Sequence, residues 1–123
     1  MPAAVREIAP DIFRQRLLIE GYYSNAVGRN VVAEFLRGLA AELGLRTYAQ
    51  PVIFSPEGLG RAENQGFDAF LPLVDSGIAA YFWSDQRFFS IVFYTCKAFD
   101  QDAAVRYTRA FLGVKADPVV FPF

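Results

Sequence analysis

The apolar positions change period several times along the 123-residue chain, and each change marks an element. From Arg16 to Tyr23, Leu17, Ile19 and Gly21 alternate with Leu18, Glu20 and Tyr22. Both faces of this predicted strand are largely apolar, which suits the inside of a sheet and makes Glu20 the anomaly. Val32, Phe35, Leu36, Leu39 and Leu43 then fall at helical spacing, with Glu34, Arg37 and Glu42 off the stripe and Gly44 ready to end the helix. Arg46 to Phe54 reads as a strand interrupted by Pro51, which suits a sheet edge or a strand end. Three apolar runs follow closely: Asp68 to Val74, Gly77 to Trp83, and Phe88 to Cys96. The short turns between them, Asp75-Ser76-Gly77 and Ser84-Asp85-Gln86, predict antiparallel hairpins. A second helix starts near Asp100 or Asp102, buries Ala104, Val105, Thr108, Phe111 and Leu112, and ends at Gly113. Val119 to Phe121 supplies a short final strand.

The order β-α-β-β-β-β-α-β predicts an α+β fold in one domain over residues 1–123: a two-layer sandwich with an antiparallel sheet and both helices on one face. The segment up to Phe13 has no regular period, and Ile8, Ile12 and Phe13 are its candidates for packing. Ser55 to Gly66, with Pro56, Gly58, Gly60 and Gly66, is a long loop for so small a domain. It reads equally as a lid or binding loop and as a plain surface excursion.

Composition narrows the classes. Apolar residues make up 54% of the chain, with 13 Phe and 6 Tyr, so the sheet face opposite the helices has aromatic surface to hide. A homodimer or higher homo-oligomer packing sheet edges or faces is expected. The net charge is −1 with no basic stripe, which argues against a nucleic-acid partner. A single cysteine, Cys96, excludes an internal disulfide and fits a reducing, cytoplasmic setting. No signal segment is read, and no apolar run approaches the ~20 residues a bilayer requires, so no membrane partner is expected. Histidine is absent, which removes Ser-His and Cys-His nucleophile pairs and the commonest zinc ligand; no metal is expected. Any general base must be Asp, Glu, Tyr, Lys or a thiolate.

Asp75-Ser76, Tyr81-Phe82-Trp83, Asp85 and Phe93-Tyr94-Thr95-Cys96 stand at set spacings in the hairpin region. This arrangement resembles the bacterial, pyruvoyl-type S-adenosylmethionine decarboxylase family. There a Glu-Ser bond precedes a strand holding a histidine and Trp-Pro-Glu, and a second strand ends in Phe-Thr-Cys. Arg16-Leu17-Leu18-Ile19-Glu20-Gly21-Tyr22 resembles the family's opening strand. The likeness covers roughly residues 14–122, is tight over 75–98, and leaves Ser55 to Gly66 as an insertion.

The resemblance implies a carboxy-lyase acting on S-adenosylmethionine, a small-molecule substrate, in polyamine (spermidine) synthesis. Its electron sink would be a pyruvoyl group made from Ser76 by autocatalytic cleavage at Asp75-Ser76. Cys96 would return a proton to the substrate carbon. Asp85, for the family's Glu, would hold the ribose hydroxyls, and Glu20 would face the sulfonium or the amine. Phe54, Phe67 and Trp83 are candidates to stack on the adenine. Tyr81 stands where the family has its processing histidine and Asp68 where it has a serine, so a tyrosine or a carboxylate would have to act as base. Hydroxyl, thiol and carboxylate are expected to converge on one cavity. Two alternatives keep the fold without the pyruvoyl group: an unprocessed enzyme doing lyase, cyclase or hydrolase chemistry on the same ligand, and a catalytically dead regulatory paralogue.

Read without the family, each residue has a plainer role. Ser76-Gly77 and Asp85 are ordinary turn chemistry, Cys96 is a buried small hydrophobe, and Trp83 is core. Glu20 alone demands a partner.

Overall fold

The alternating runs become strands of one sheet in the computed structural model, which describes residues 5–56 and 58–123. Met1–Ala4 and Glu57 lie outside the described residues. The elements are β1 (Gln15–Tyr22), α1 (Arg29–Glu42), β2 (Val52–Phe54), a 3-10 turn (Ala62–Asn64), β3 (Gly66–Leu73), β4 (Ser76–Trp83), β5 (Phe88–Thr95), α2 (Gln101–Leu112) and β6 (Val119–Pro122). Strand order is β2-β3-β4-β5-β1-β6, and every neighbouring pair is antiparallel. The fold is therefore the expected α+β arrangement, with β1 interior, as its two apolar faces require.

Register sorts the side chains into two faces. Leu17, Phe93, Ile78 and Leu71 form one cross-strand row, and Ile19, Ile91, Ala80 and Ala69 the next; all are buried. Val32, Phe35, Leu36 and Leu39 of α1 and Ala104 and Leu112 of α2 join them in one core. Gly38 lets the helices approach closely, and Tyr107 of α2 reaches across to donate to the Phe35 carbonyl at 3.2 Å. The Asp100 carboxylate caps α2 by accepting from the Ala103 amide, and Gly113 ends the helix in the left-handed region.

The other face carries no helix. One row across it is Phe121, Leu18, Val92, Ala79, Phe70 and Val52, almost wholly apolar. The next is Val119, Glu20, Ser90, Tyr81, Asp68 and Phe54. Phe54, Phe70, Tyr81 and Tyr94 are exposed on this side.

Several expectations need correction. The predicted strand over Arg46–Phe54 shrinks to Val52–Phe54, with only a single bridge from Thr47 to Leu73 before it. Pro51 has no amide hydrogen to give the ladder, and pairing resumes just after it. The first hairpin turns on Val74-Asp75, so β4 begins at Ser76 and not Gly77, and Asp75 takes φ 57°. The second turn has four residues, Ser84 to Arg87. Ile8, Ile12 and Phe13 are exposed: they precede β1, where the described residues form neither strand nor helix to press them onto the core. Val105 and Phe111 are half-buried at the rim of the core. The long loop contains the 3-10 turn and gives way to β3 at Gly66.

Candidate functional site

The β3–β4 hairpin brings Ser76 to the start of a strand directly after a residue in left-handed conformation. Ser76 pairs with Thr95, so the next residue, Cys96, lies beside it, and the Cys96 amide donates to Ser76 Oγ at 3.1 Å. Ser76 is half-buried and Cys96 exposed. Gly77 follows, and a Cβ there would stand 2.6 Å from Phe70 Cζ, so the missing side chain lets the Phe70 ring lie beside the hairpin. A hollow of about 390 Å³ opens here on the helix-free face, between Phe70, Ser76, Val92 and Tyr94. A second, of about 280 Å³, lies between Arg46, Asp75, Cys96 and Lys97. The scissile pair expected from sequence and its cysteine thus share one end of the sheet.

The opposite end of β4 holds a larger cavity of about 510 Å³, roofed by the long loop. Its lining includes four predicted residues: Phe54, Asp68, Tyr81 and Trp83. Asp68 and Tyr81 are direct cross-strand partners. The Trp83 indole N–H donates to Asn64 Oδ1 at 2.9 Å and ties the loop to the strand. Tyr23 buttresses Trp83 from behind by donating to its carbonyl at 3.3 Å; burial pushes its phenol above the ordinary value of 10. Arg61 and Asn64 also line the cavity and went unread in the sequence, because an aperiodic loop gives no signal of which residues turn inward.

The expected convergence on one cavity does not occur within one protomer. Ser76 and Trp83 stand at the two ends of one eight-residue strand, about 23 Å apart at ordinary strand rise, and Tyr81 is about 16 Å from Ser76. Asp85 follows Trp83 in the exposed turn, remote from the hydroxyl and the thiol. Phe67 belongs to the helix-facing side of β3 and packs against the core, turned from the cavity wall that Asp68 forms. Glu20 is half-buried and accepts from Ser90 Oγ at 2.8 Å, which gives the lone acid of β1 its partner. It shares the cross-strand row that runs on through Tyr81 and Asp68 to Phe54. Among the described residues, no three Cys, Asp or Glu side chains gather as metal ligands would.

No family model and no curated protein matches the chain. Among solved structures, the chain is similar to the crystal structure of the adenosylmethionine decarboxylase from Aquifex aeolicus VF5. The two share 19% sequence identity over 89% of each chain, with a TM-score of 0.66. At that identity the likeness establishes a shared fold: a six-stranded antiparallel sheet with two helices. No helix among the described residues is long and apolar enough to cross a membrane.

Proposed function

We propose that this chain is an S-adenosylmethionine decarboxylase-like enzyme that takes S-adenosylmethionine or a close analogue, with Ser76 the precursor of a pyruvoyl group. One observation carries the reading: the hydrogen bond from the Cys96 amide to Ser76 Oγ, directly after left-handed Asp75. That bond orients the hydroxyl beside the Asp75–Ser76 peptide, the bond that must break. It also sets the Cys96 backbone beside residue 76, and the cysteine is exposed, so its sulfur is free to return a proton to a substrate carbon. Gly77, next in the chain, lets the Phe70 ring pack against the start of the strand and wall the hollow on the open face. A pyruvoyl carbonyl at residue 76 would supply the electron sink that loss of CO₂ requires.

Substrate-binding roles fall to the far end of β4: Trp83 and Phe54 for stacking, Asp85 for the ribose hydroxyls, and Glu20 for the cationic part. One protomer cannot offer both ends of an eight-residue strand to a single small molecule. A homodimer resolves this. The apolar row through Leu18, Val92, Ala79 and Phe70 supports face-to-face packing of two sheets. A twofold axis parallel to that row, and so perpendicular to the strands, reverses the strand direction between copies and brings the cavity end of one copy over the Ser76 end of the other. Tyr81 and Asp68 of the second copy then become the nearest candidates for the base. Release of CO₂ from carboxyl-labelled S-adenosylmethionine tests the reading: wild type should release it and Ser76→Ala should not. Equal release from both, or none from either, would refute it.

A second reading has its own observation. Phe54, Asp68, Tyr81 and Trp83 line a cavity that excludes Ser76. An unprocessed chain could use that cavity for lysis, cyclisation or hydrolysis of the same ligand, chemistry that needs positioning and a carboxylate or tyrosine base. Consumption of S-adenosylmethionine without CO₂ would favour it.

A further inference from the structure

We infer that the cavity under the long loop is an amino-acid site: it takes a molecule with an ammonium–carboxylate head and a flat or apolar body, Arg61 meeting the carboxylate and Asp68 the ammonium. This deepens the second reading by naming the ligand's head group, and it needs no cleavage at Ser76. Three observations lead there. The cavity, at about 510 Å³, has the size of small-molecule sites, and its walls include the rings of Phe54, Tyr81 and Trp83. Among the described residues, two opposite charges line it, Arg61 from the loop and Asp68 from β3. Those charges do not pair with each other: the ion pairs among the described residues are Arg14–Glu7 and Arg109–Asp117.

A lone amine would satisfy Asp68 and leave the guanidinium facing a cation. A lone acid would satisfy Arg61 and leave the carboxylate facing an anion. Only a ligand carrying both signs uses both groups, and a guanidinium holds a carboxylate best because its paired N–H donors match the two oxygens. The site therefore separates an amino acid from the amine that decarboxylation would leave. The Trp83–Asn64 hydrogen bond holds the loop, and with it Arg61, over the aromatic wall.

Trp83 is the only tryptophan, so its indole N–H gives one isolated resonance in a proton–nitrogen NMR spectrum. L-Phenylalanine, phenethylamine and 3-phenylpropanoate form a matched series with both charges, the cation alone and the anion alone. Titration into the full chain should move the indole resonance saturably with L-phenylalanine, with midpoints about tenfold higher for the other two. Arg61→Gln should raise the L-phenylalanine midpoint about tenfold and leave phenethylamine unaffected; Asp68→Asn should do the converse with 3-phenylpropanoate. Both residues are exposed, so neither change touches the core. Equal midpoints for the three compounds, indifference to both substitutions, or no shift by about 20 mM would overturn the inference. The CO₂ assay is independent of these readings, so failure here and failure of the decarboxylase proposal are told apart.

Discussion

Gly38 sits inside α1, where helix propensity alone says that alanine is better by about 1 kcal/mol. The packing says the opposite. A Cβ at residue 38 would stand 2.0 Å from Tyr107 Oη and 3.0 Å from Cζ. The Tyr107 ring cannot swing away freely, because it stacks on Phe35 and on Phe111, each at 5.7 Å between centroids. Displacing it forfeits the hydrogen bond to the Phe35 carbonyl, worth about 1 kcal/mol, and adds overpacking of about 1–3 kcal/mol. Gly38→Ala should therefore destabilise by about 1–3 kcal/mol net, which for a chain of this size lowers Tm by about 4–12 °C. Thermal unfolding followed by circular dichroism reads this directly. The double substitution Gly38→Ala with Tyr107→Phe removes the closest atom and should recover part of the loss, a favourable coupling of about 1 kcal/mol. A rise in Tm for Gly38→Ala alone would mean that the helices do not meet as described.

Two further consequences concern the sheet and the pH range. Ser90→Ala removes the hydroxyl that donates to half-buried Glu20, and should cost about 1–2 kcal/mol in urea unfolding; a change within error would deny that the pair matters. Tyr23 and Tyr107 have phenols held above the ordinary value of 10 chiefly by burial. Below pH 10 both are protonated whether folded or unfolded; above it the unfolded chain ionises first and the folded chain holds more protons, so stability falls as pH rises. Tm should drop as pH rises past about 10, and less steeply in the Tyr23→Phe/Tyr107→Phe double variant; parallel profiles would contradict this.

Strand and helix periods were legible because each element buries one face: Leu17 and Ile19, Ile78 and Ala80, and the α1 stripe all lie in the core. Ends were less so. Arg46 to Phe54 is apolar enough to read as one strand, but backbone pairing decides, and Pro51 interrupts it. Glu20 announced its need for a partner, yet Ser90 is 70 residues away and only the β1–β5 register unites them. Ser76 and Cys96 share an end of the sheet because an antiparallel hairpin returns the chain. The same strand length sets Asp85 at the other end, a separation that spacing along the sequence does not reveal. Arg61 and Asn64 were invisible because a loop's inward residues follow from tertiary closure.

Intact-mass analysis of the purified chain asks whether residue 76 leaves the ribosome as serine and stays one. The Ser76–Cys96 account predicts two fragments, 1–75 and 76–123, the second carrying a blocked N-terminus, with Ser76→Ala remaining whole. A single species at the full 13.8 kDa in the wild type would contradict it and leave the loop-covered cavity as the candidate centre for chemistry.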